Sequence, residues 1–187
     1  MTHYGVVLGR FQPIHLGHVE YLQAARDRCE HLIIGITNPN LNCLSECPED
    51  PSRTKIASNP FTYFERARLI ELTAAEYRWT NMPLSIVPAD LDQLSFLTQC
   101  MPPLSETTIY TTIYDEWGIK KTSILRGAGF ETEVLWRRTM ESRITSGTEI
   151  RKLSINNNNA WHSKVPLSTI PMLSKLFQRL RTYRATN

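Results

Sequence analysis

Between residues 4 and 36, short apolar runs alternate with a helical pattern, and this alternation constrains the fold more than any other feature of the sequence. Tyr4–Leu8 is an apolar run that leads directly into Gly9. From Leu16 to Arg28, apolar residues recur at helical spacing, and His31–Ile36 is a second apolar run. A strand, a helix and a second strand over this length predict a βαβ unit, whose strands are parallel and covered on both faces.

The rest of the chain continues the alternation. Further strands are predicted at Leu84–Val87, Thr107–Thr112 and Glu131–Trp136. Helices are predicted after Asn59-Pro60, over Glu116–Arg126, from Ser146 through Leu153 and over Leu167–Tyr183. The first and the third of these helices start with the spacing of a capping box, Thr62 with Glu65 and Ser146 with Glu149. We therefore expect one domain over residues 1–187 with an α/β, Rossmann-like, doubly wound fold. Its sheet should be mainly five-stranded and parallel, with helices on both faces and a C-terminal helical segment over residues 160–187.

Composition and charge exclude several classes of protein. Hydrophobic residues make up 41% of the chain and charged residues 21%, which is typical of a globular chain and not of a disordered one. No apolar run reaches the roughly 18 residues of a membrane span, so we expect a cytoplasmic protein. The net charge of +3 suits an anionic small molecule, and the scattered basic residues do not predict a nucleic-acid surface. The Arg-rich end of the last helix, Arg179–Arg184, predicts a solvated face or a contact between subunits of a homo-oligomer.

A long polar segment, Thr37–Asn59, separates the second strand from the next helix. A connection of this length is unusual in a compact domain and predicts a mobile lid. Its Cys43 and Cys47 are interpreted as free thiols; a shared metal ion is the alternative, although no histidine or further cysteine pair stands at zinc-site spacing. Lys55 either is solvated or approaches a bound phosphate when the loop closes.

The segment GRFQPIHLGH, Gly9–His18, carries most of the chemistry that the sequence predicts. It lies between the first strand and the first helix, which is the phosphate position of this fold. Gly9 permits a tight exit from the strand, and Gly17 permits close approach of the backbone to a ligand. His15 and His18 bracket the helix start, so both imidazoles and the free backbone N–H groups can face one anion.

This segment resembles the HxGH motif of the nucleotidylyltransferase superfamily, and its longer form is similar to that of the archaeal-type nicotinamide-mononucleotide adenylyltransferases. Asn59–Arg66 resembles that family's NPFTxxER helix start, and Ser146–Arg151 resembles its second phosphate-binding signature. Trp161 with Val165-Pro166 resembles its C-terminal segment. The resemblance therefore extends over nearly the whole chain.

The resemblance implies an enzyme that moves a nucleoside monophosphate from a nucleoside triphosphate onto a phosphate-bearing acceptor and releases pyrophosphate. The implied catalytic residues are His15, His18 and Arg151, and the implied nucleotide or phosphate contacts are Gly9, Arg10, Phe11, Gly17, Ser146, Gly147 and Thr148. Because the acceptor is itself the nucleophile, such an enzyme must align its reactants and neutralise charge. Mg²⁺ is the expected cofactor, held mainly by phosphates and water rather than by side chains. The structural alternative is that Arg10 and Arg151 pair with surface carboxylates and that Ser146 only caps a helix.

The acceptor region departs from the adenylyltransferases. After the fourth strand the chain has TTIYDEWG, Thr111–Gly118, in place of a pattern like SGNP, and Asp90–Pro103 contains no tryptophan for a nicotinamide ring. The long Thr37–Asn59 segment is a second departure. Together with TIYDEWG and VLWRR, these departures resemble a branch that includes cytidylyltransferases acting on small phosphonates, such as the hydroxyethylphosphonate enzyme of fosfomycin biosynthesis. We therefore expect CTP and a small phosphonate such as 2-hydroxyethylphosphonate as substrates; ATP and nicotinamide mononucleotide are the alternative.

The candidates for the base or acceptor pocket are Arg66, Tyr114, Asp115, Trp117 and Trp136. Arg66 either reaches an acceptor phosphate or faces solvent, and each tryptophan either contacts a ligand or belongs to the core. A non-catalytic nucleotide-sensing domain is the remaining alternative. Such a domain is expected to lose a motif histidine or the late arginine, and this chain keeps His15, His18 and Arg151.

Overall fold

The computed structural model describes residues 2–42, 48 and 55–186. The strands are β1 (Thr2–Gly9), β2 (Cys29–Thr37), β3 (Leu84–Ala89), β4 (Thr107–Ile113) and β5 (Glu131–Arg137); the helices are α1 (Leu16–Arg26), α2 (Tyr63–Glu76), α3 (Leu94–Gln99), α4 (Glu116–Gly127), α5 (Gly147–Ile155) and α6 (Ile170–Thr186). All strand pairs are parallel, and the order in the sheet is β3-β2-β1-β4-β5. The predicted doubly wound α/β fold with a five-stranded parallel sheet is confirmed.

The core lies on both faces of the sheet, as the continuous apolar runs predict. Val7 and Ile34 face a cluster that includes residues of α1, α2, α5 and α6, whereas Val6 and Ile33 face a second cluster with residues of α3 and α4. The central strand β1 is in register with both neighbours, so that Val6 stands beside Ile33 of β2 and Ile109 of β4. This arrangement fixes the carboxyl end of β1 in the middle of one edge of the sheet.

The two helix starts with capping-box spacing differ in the structure. At α2 the box is complete: the Thr62 hydroxyl accepts from the Glu65 N–H at 3.2 Å, and the Glu65 carboxylate accepts from the Thr62 N–H at 2.9 Å. At α5 the Ser146 hydroxyl accepts from the Glu149 N–H at 3.2 Å, and the Ser146 N–H is close enough to the Glu149 carboxylate to help lower its pKa. The closest partners of that carboxylate are the Thr145 hydroxyl at 2.9 Å and the Lys164 ammonium at 2.8 Å, so the reciprocal half of this box is weaker than at α2.

Several element bounds differ from those predicted. Helix α3 was not predicted because it has only six residues and lacks a side-chain cap. Helix α1 ends at Arg26, and Leu167–Thr169 forms a 3₁₀ turn before α6 begins at Ile170. Pro171 then lies in the first turn of α6, where its missing N–H breaks no helical hydrogen bond.

The long segment between β2 and α2 is described only in part. Cys43 and Cys47, and with them most of the predicted lid, lie outside the described residues. Lys55 is exposed and precedes a 3₁₀ turn at Ile56–Ser58. Within the described part of the chain, no helix is long and apolar enough to cross a membrane.

Candidate active site

A cleft of about 680 Å³ opens at the carboxyl ends of β1 and β4. Its walls are the loop between β1 and α1, the start of α4, and the segment that connects β5 to α5. Every predicted site residue except Arg66 lines this cleft: Gly9, Arg10, Phe11, His15, Gly17, His18, Tyr114, Asp115, Trp117, Trp136, Ser146, Gly147, Thr148 and Arg151. The structure therefore brings two phosphate motifs that are far apart in sequence into one site: Gly9–His18, the early motif, and Ser146–Arg151, the late motif.

The loop between β1 and α1 places the two histidines. His15 is the N-cap of α1, and its Nδ1 accepts a hydrogen bond from the His18 N–H at 3.3 Å. Because Nδ1 is the acceptor, the proton of the neutral ring sits on Nε2, which remains a donor. Gly17 lies close beside this ring: a Cβ there would be 3.2 Å from two atoms of the His15 imidazole, which would have to shift to make room.

The imidazoles of His15 and His18 are stacked, with ring centroids 3.7 Å apart and an angle of 21° between the ring planes. Burial, assisted by the charge of Arg143, lowers the pKa of His15 to about 3. Burial and the neighbouring His15 lower the pKa of His18 well below its ordinary value. Both rings are therefore neutral donors near pH 7, and a bound polyanion would raise both pKa values towards protonation. The His18 Nδ1 is buried without a hydrogen-bond partner among the described residues.

The start of α5 directly contacts the loop between β1 and α1, which we call the histidine loop. Ser146 is the N-cap of the helix, and the Arg151 side chain donates to the Gln12 carbonyl and, at 3.1 Å, to the Thr148 hydroxyl. Burial, with the charge of Arg10, lowers the pKa of Arg151 to about 10, which leaves the guanidinium charged at neutral pH. The free N–H groups of this helix start and the charged guanidinium together form an anion site.

The segment Asn59–Arg66, which resembles NPFTxxER, contacts the histidine loop through Gln12. The Gln12 side chain clamps the Phe61 backbone, donating to its carbonyl at 2.9 Å and accepting from its N–H at 3.0 Å. Nothing in the sequence signalled this contact, because Gln12 and Phe61 belong to motifs 49 residues apart.

Arg66 occupies neither of the two positions that the sequence suggested. Its side chain is fully buried and does not line the cleft. The guanidinium donates to the carbonyls of Arg10 at 3.0 Å, Thr37 at 2.7 Å and Asn38 at 2.8 Å, and burial lowers its pKa to about 10. Its Nε also donates to the Thr62 carbonyl at 3.3 Å. The expectation that Arg66 reaches an acceptor or faces solvent is therefore corrected: carbonyl oxygens from three chain segments hold this cation in the interior.

The start of α4 forms the opposite wall of the cleft. Asp115 caps the helix, with Oδ1 accepting from the Gly118 N–H at 2.9 Å, while Oδ2 pairs with Arg143 at 3.0 Å. The Trp136 Nε1 donates to the Tyr114 hydroxyl at 2.8 Å. These side chains line the cleft and at the same time brace one another.

Sequence reasoning missed two cations of the cleft, Lys121 and Arg143. Lys121 lies on α4, and Arg143 stands three residues before the N-cap Ser146. The position of Arg143 next to the late phosphate motif was the available signal. Among the described lining residues, the formally charged side chains are four cations, which are Arg10, Lys121, Arg143 and Arg151, and one carboxylate, Asp115. A cleft with this balance favours a polyanionic ligand.

A comparison with known families agrees with this geometry. The model of the family described as cytidylyltransferase-like matches residues 6–153, which span the cleft-lining elements from β1 to α5. The chain belongs to the cytidylyltransferase-like family. The relatives of the chain include cytidylyl- and adenylyltransferases, and the chain is a nucleotidyltransferase.

Two relatives and one solved structure place this cytidylyltransferase-like chain more closely. It is 39% identical over 162 residues to a phosphonoformate cytidylyltransferase of Streptomyces viridochromogenes, covering 87% of this chain and 85% of the relative. It is 26% identical over 178 residues to a nicotinamide-nucleotide adenylyltransferase of Methanococcus aeolicus, covering 91% and 88%. A bifunctional NMN adenylyltransferase/ADP ribose pyrophosphatase from Francisella tularensis has the same fold, with a TM-score of 0.65 at 17% identity; the match covers all of this chain and 54% of that protein.

Proposed function

We propose that this nucleotidyltransferase transfers CMP from CTP to a small phosphonate and releases pyrophosphate. The observation that carries the proposal is the 39% identity to a phosphonoformate cytidylyltransferase, which covers 87% of the chain, against 26% identity to a nicotinamide-nucleotide adenylyltransferase. The acceptor region supports it, because the segment after β4 and the stretch 90–103 lack the features expected for a nicotinamide pocket.

In the proposed reaction, a phosphonate oxygen of the acceptor attacks the α-phosphorus of CTP. A new P–O bond forms there, and the bond to the oxygen that bridges the α- and β-phosphates breaks, so that pyrophosphate leaves with the electron pair. The start of α5, with Arg10 and Arg151, would bind the β- and γ-phosphates. His15 and His18 would donate to the oxygens of the α-phosphate, where charge is redistributed in the transition state.

Mg²⁺ completes the proposal. Among the described residues, no group of three or more histidine, cysteine or acidic side chains is arranged to hold a metal ion. Such an ion would enter with the triphosphate, and its ligands would be mainly phosphate oxygens and water. When bound, Mg²⁺ would neutralise part of the triphosphate charge.

Pyrophosphate release by the purified protein tests the proposal. CTP and ATP are each combined with phosphonoformate, 2-hydroxyethylphosphonate and nicotinamide mononucleotide in the presence of Mg²⁺. We expect turnover with CTP and a phosphonate, and loss of that turnover in EDTA. Turnover confined to ATP with nicotinamide mononucleotide would instead establish the adenylyltransferase alternative, which the 26% identity over 178 residues keeps in consideration. No pyrophosphate from any pair would contradict both assignments.

A further inference from the structure

The hydroxyl of Tyr114 is surrounded by hydrogen-bond donors. Trp136 donates to it through Nε1 at 2.8 Å. The pKa of Arg138 is raised mainly by Glu20 and in part by a side-chain hydrogen bond to Tyr114, so the Arg138 guanidinium reaches the same oxygen. Indole and guanidinium groups donate hydrogen bonds and do not accept them. Both contacts therefore end on the lone pairs of the Tyr114 oxygen.

The proton of this hydroxyl is left without an acceptor from the protein. A tyrosine hydroxyl donates one hydrogen bond and accepts through the lone pairs of its oxygen. Within the described part of the chain, the groups that hydrogen-bond to the Tyr114 hydroxyl are the two donors, and no carbonyl or carboxylate accepts from it. Since Tyr114 lines the cleft, its O–H group is a donor for a bound molecule.

A β-bulge in β5 sets the position of Trp136. The register between β4 and β5 shifts after Thr111, so that Leu135 is an extra residue and Trp136 stands beside Thr112. Leu135 and Trp136 consequently pack against the same apolar cluster, whereas neighbours on a regular strand face opposite sides of the sheet. Bulges often re-aim a side chain next to an active site. Here the bulge accompanies an indole that donates to Tyr114.

The contacts of Trp136 favour a supporting role. The Arg138 guanidinium covers its ring at 4.4 Å from the centroid, and Arg138 is itself held by both carboxylate oxygens of Glu20, at 2.8 and 3.0 Å. Tyr21 packs against the indole edge to face, with ring centroids 6.3 Å apart. An indole covered in this way holds the Tyr114 hydroxyl in one orientation, rather than stacking on a ligand from the side that Arg138 occupies.

Tyr114 lies close to the groups that are proposed to contact the α-phosphate. The Arg143 guanidinium stands over the Tyr114 ring, 4.7 Å from the centroid. Burial is the main cause of the low pKa values of His15 and His18, and the Arg143 charge contributes to both. One guanidinium therefore lies next to Tyr114 and within electrostatic range of the stacked imidazoles.

The direction of attack favours the acceptor as the ligand of Tyr114. In phosphoryl transfer, the attacking and the leaving oxygen lie roughly in line on opposite sides of the phosphorus. The leaving pyrophosphate is proposed to bind at the start of α5, so the acceptor has to approach from another wall of the cleft. The start of α4 forms the opposite wall, and Tyr114 directly precedes its N-cap Asp115.

We propose that Tyr114 positions the acceptor: its O–H donates to a phosphonate oxygen that does not attack, and Trp136 positions Tyr114 for this contact. The inference rests on the proposed function. A phosphonate dianion offers acceptors and no donor, which suits a hydroxyl whose lone pairs are already occupied. A second phosphonate oxygen then faces the α-phosphorus. The contact transfers no proton, so the bonds that form and break are those of the proposed reaction.

Tyr114→Phe tests the contact, because it removes the hydroxyl and keeps the ring beneath Arg143. Pyrophosphate release with Mg²⁺ gives KM for CTP and for the phosphonate that the wild type uses best, phosphonoformate or 2-hydroxyethylphosphonate. We expect the acceptor KM to rise about 10-fold and the KM for CTP to change less than about 2-fold, since a hydrogen bond to a charged group is lost. Tyr77→Phe is the matched control and should change neither value, because Tyr77 is exposed at the end of α2 and does not line the cleft.

Trp136→Phe tests the positioning role. The variant keeps an aromatic ring but lacks the Nε1 donor, so the acceptor KM should rise by about 3-fold as the Tyr114 hydroxyl loses its fixed orientation. The double variant with Tyr114→Phe should have the acceptor KM of Tyr114→Phe alone, because Trp136 acts through a hydroxyl that is no longer present. Trp79→Phe is the matched control: its Nε1 donates to Gln23 at 2.7 Å outside the cleft, so the variant should lose stability without a change in acceptor KM.

Other patterns would overturn the inference. If the wild type turns over CTP with a phosphonate and Tyr114→Phe leaves the acceptor KM unchanged, the inference fails and the proposed function stands. A rise confined to the KM for CTP would assign the hydroxyl to the nucleotide, and multiplied effects in the double variant would make Trp136 merely structural. No turnover of CTP with any phosphonate by the wild type would overturn both proposals. Should circular dichroism show that Tyr114→Phe does not fold, equal acceptor KM values for Trp136→Phe and Trp79→Phe would overturn the inference.

Discussion

Gly147 packs against the backbone of Gln12 so closely that a Cβ at position 147 would lie 2.5 Å from the Gln12 carbonyl oxygen. The same Cβ would lie 3.1 Å from a terminal nitrogen of Arg151, which itself donates to that carbonyl. The start of α5 and the histidine loop are thus in direct contact, and the geometry of each depends on the other.

Gly147→Ala should therefore damage both stability and activity. The nearest neighbour of the new methyl group is backbone, which cannot rotate away, so we expect a loss of about 1–3 kcal/mol in the free energy of unfolding. Pyrophosphate release should fall as well, because α5 moves relative to the histidines. Urea denaturation and steady-state kinetics measure the two effects.

Gly127→Ala is the matched control for this substitution. A Cβ at Gly127 meets nothing within 4 Å, and the residue lies in the last turn of α4. Replacing a helical glycine by alanine is expected to stabilise by up to about 1 kcal/mol. If both alanine variants lose the same stability, the close contact at Gly147 is not the cause.

Arg66→Met should destabilise the protein even though Arg66 does not line the cleft. The change leaves the carbonyls of Arg10, Thr37 and Asn38 without this donor, and we expect a cost of about 2 kcal/mol or more. Arg68→Met on the same helix is the control, because Arg68 forms an exposed ion pair with Glu71, and such pairs contribute about 0–1 kcal/mol. Equal midpoints of urea denaturation for the two variants would contradict the structural role of Arg66.

His18→Ala tests the proposed transition-state contact. Turnover should fall by about 10² or more, as loss of a donor to developing charge typically costs, while the far-ultraviolet circular dichroism spectrum stays unchanged. His3→Ala provides the comparison, because His3 is exposed near the start of β1, at the opposite end of the strand from the cleft. Near-normal pyrophosphate release by the His18 variant would exclude the histidine from the chemistry.

The depressed pKa of His15 predicts how stability depends on pH. The folded pKa is about 3 and the ordinary value is 6.5, so between these values the unfolded chain binds a proton that the folded chain does not. The free energy of unfolding therefore falls as pH decreases from 6.5 towards 3, by up to about 1.4 kcal/mol per pH unit for this group.

His15→Asn separates this contribution from the other titrating groups. Asparagine is a favourable N-cap, so the variant should keep the start of α1. Urea denaturation at pH 6 and at pH 4.5 should show a smaller loss of stability for the variant than for the wild type. Identical losses would mean that His15 takes up its proton in the folded protein as readily as in the unfolded chain.

Most of the fold could be predicted from the sequence because the patterns that specify its strands and helices are local. Short apolar runs and helix-start residues predicted all five strands and the longer helices within a few residues. Helix α3 gave no such signal, since six residues without a side-chain cap leave no periodicity to read. At the capping box of Ser146, nothing in the sequence indicated that Lys164, from a later segment, also binds the Glu149 carboxylate.

Site residues that belong to contiguous motifs could be predicted from the sequence. Residues whose position depends on contacts with distant parts of the chain could not. The cleft unites the two phosphate motifs as expected. Arg66 is instead drawn into the interior by the carbonyl of Arg10, 56 residues away in sequence, and Arg143 is oriented by Asp115, 28 residues away. Neither pairing follows from residue type or spacing, because each depends on how α2 and α4 pack against the sheet.

The C-terminal segment has a consequence for protein engineering. The family match ends at residue 153, yet Lys164 holds Glu149 in the first turn of α5 and Arg181 donates to the Ser154 carbonyl in its last turn. A chimaera cut at residue 153, where the family match ends, would remove the contacts that Lys164 and Arg181 make with the two ends of α5. Any graft of the catalytic core onto another chain should therefore carry residues up to Arg181 as part of the transplanted unit.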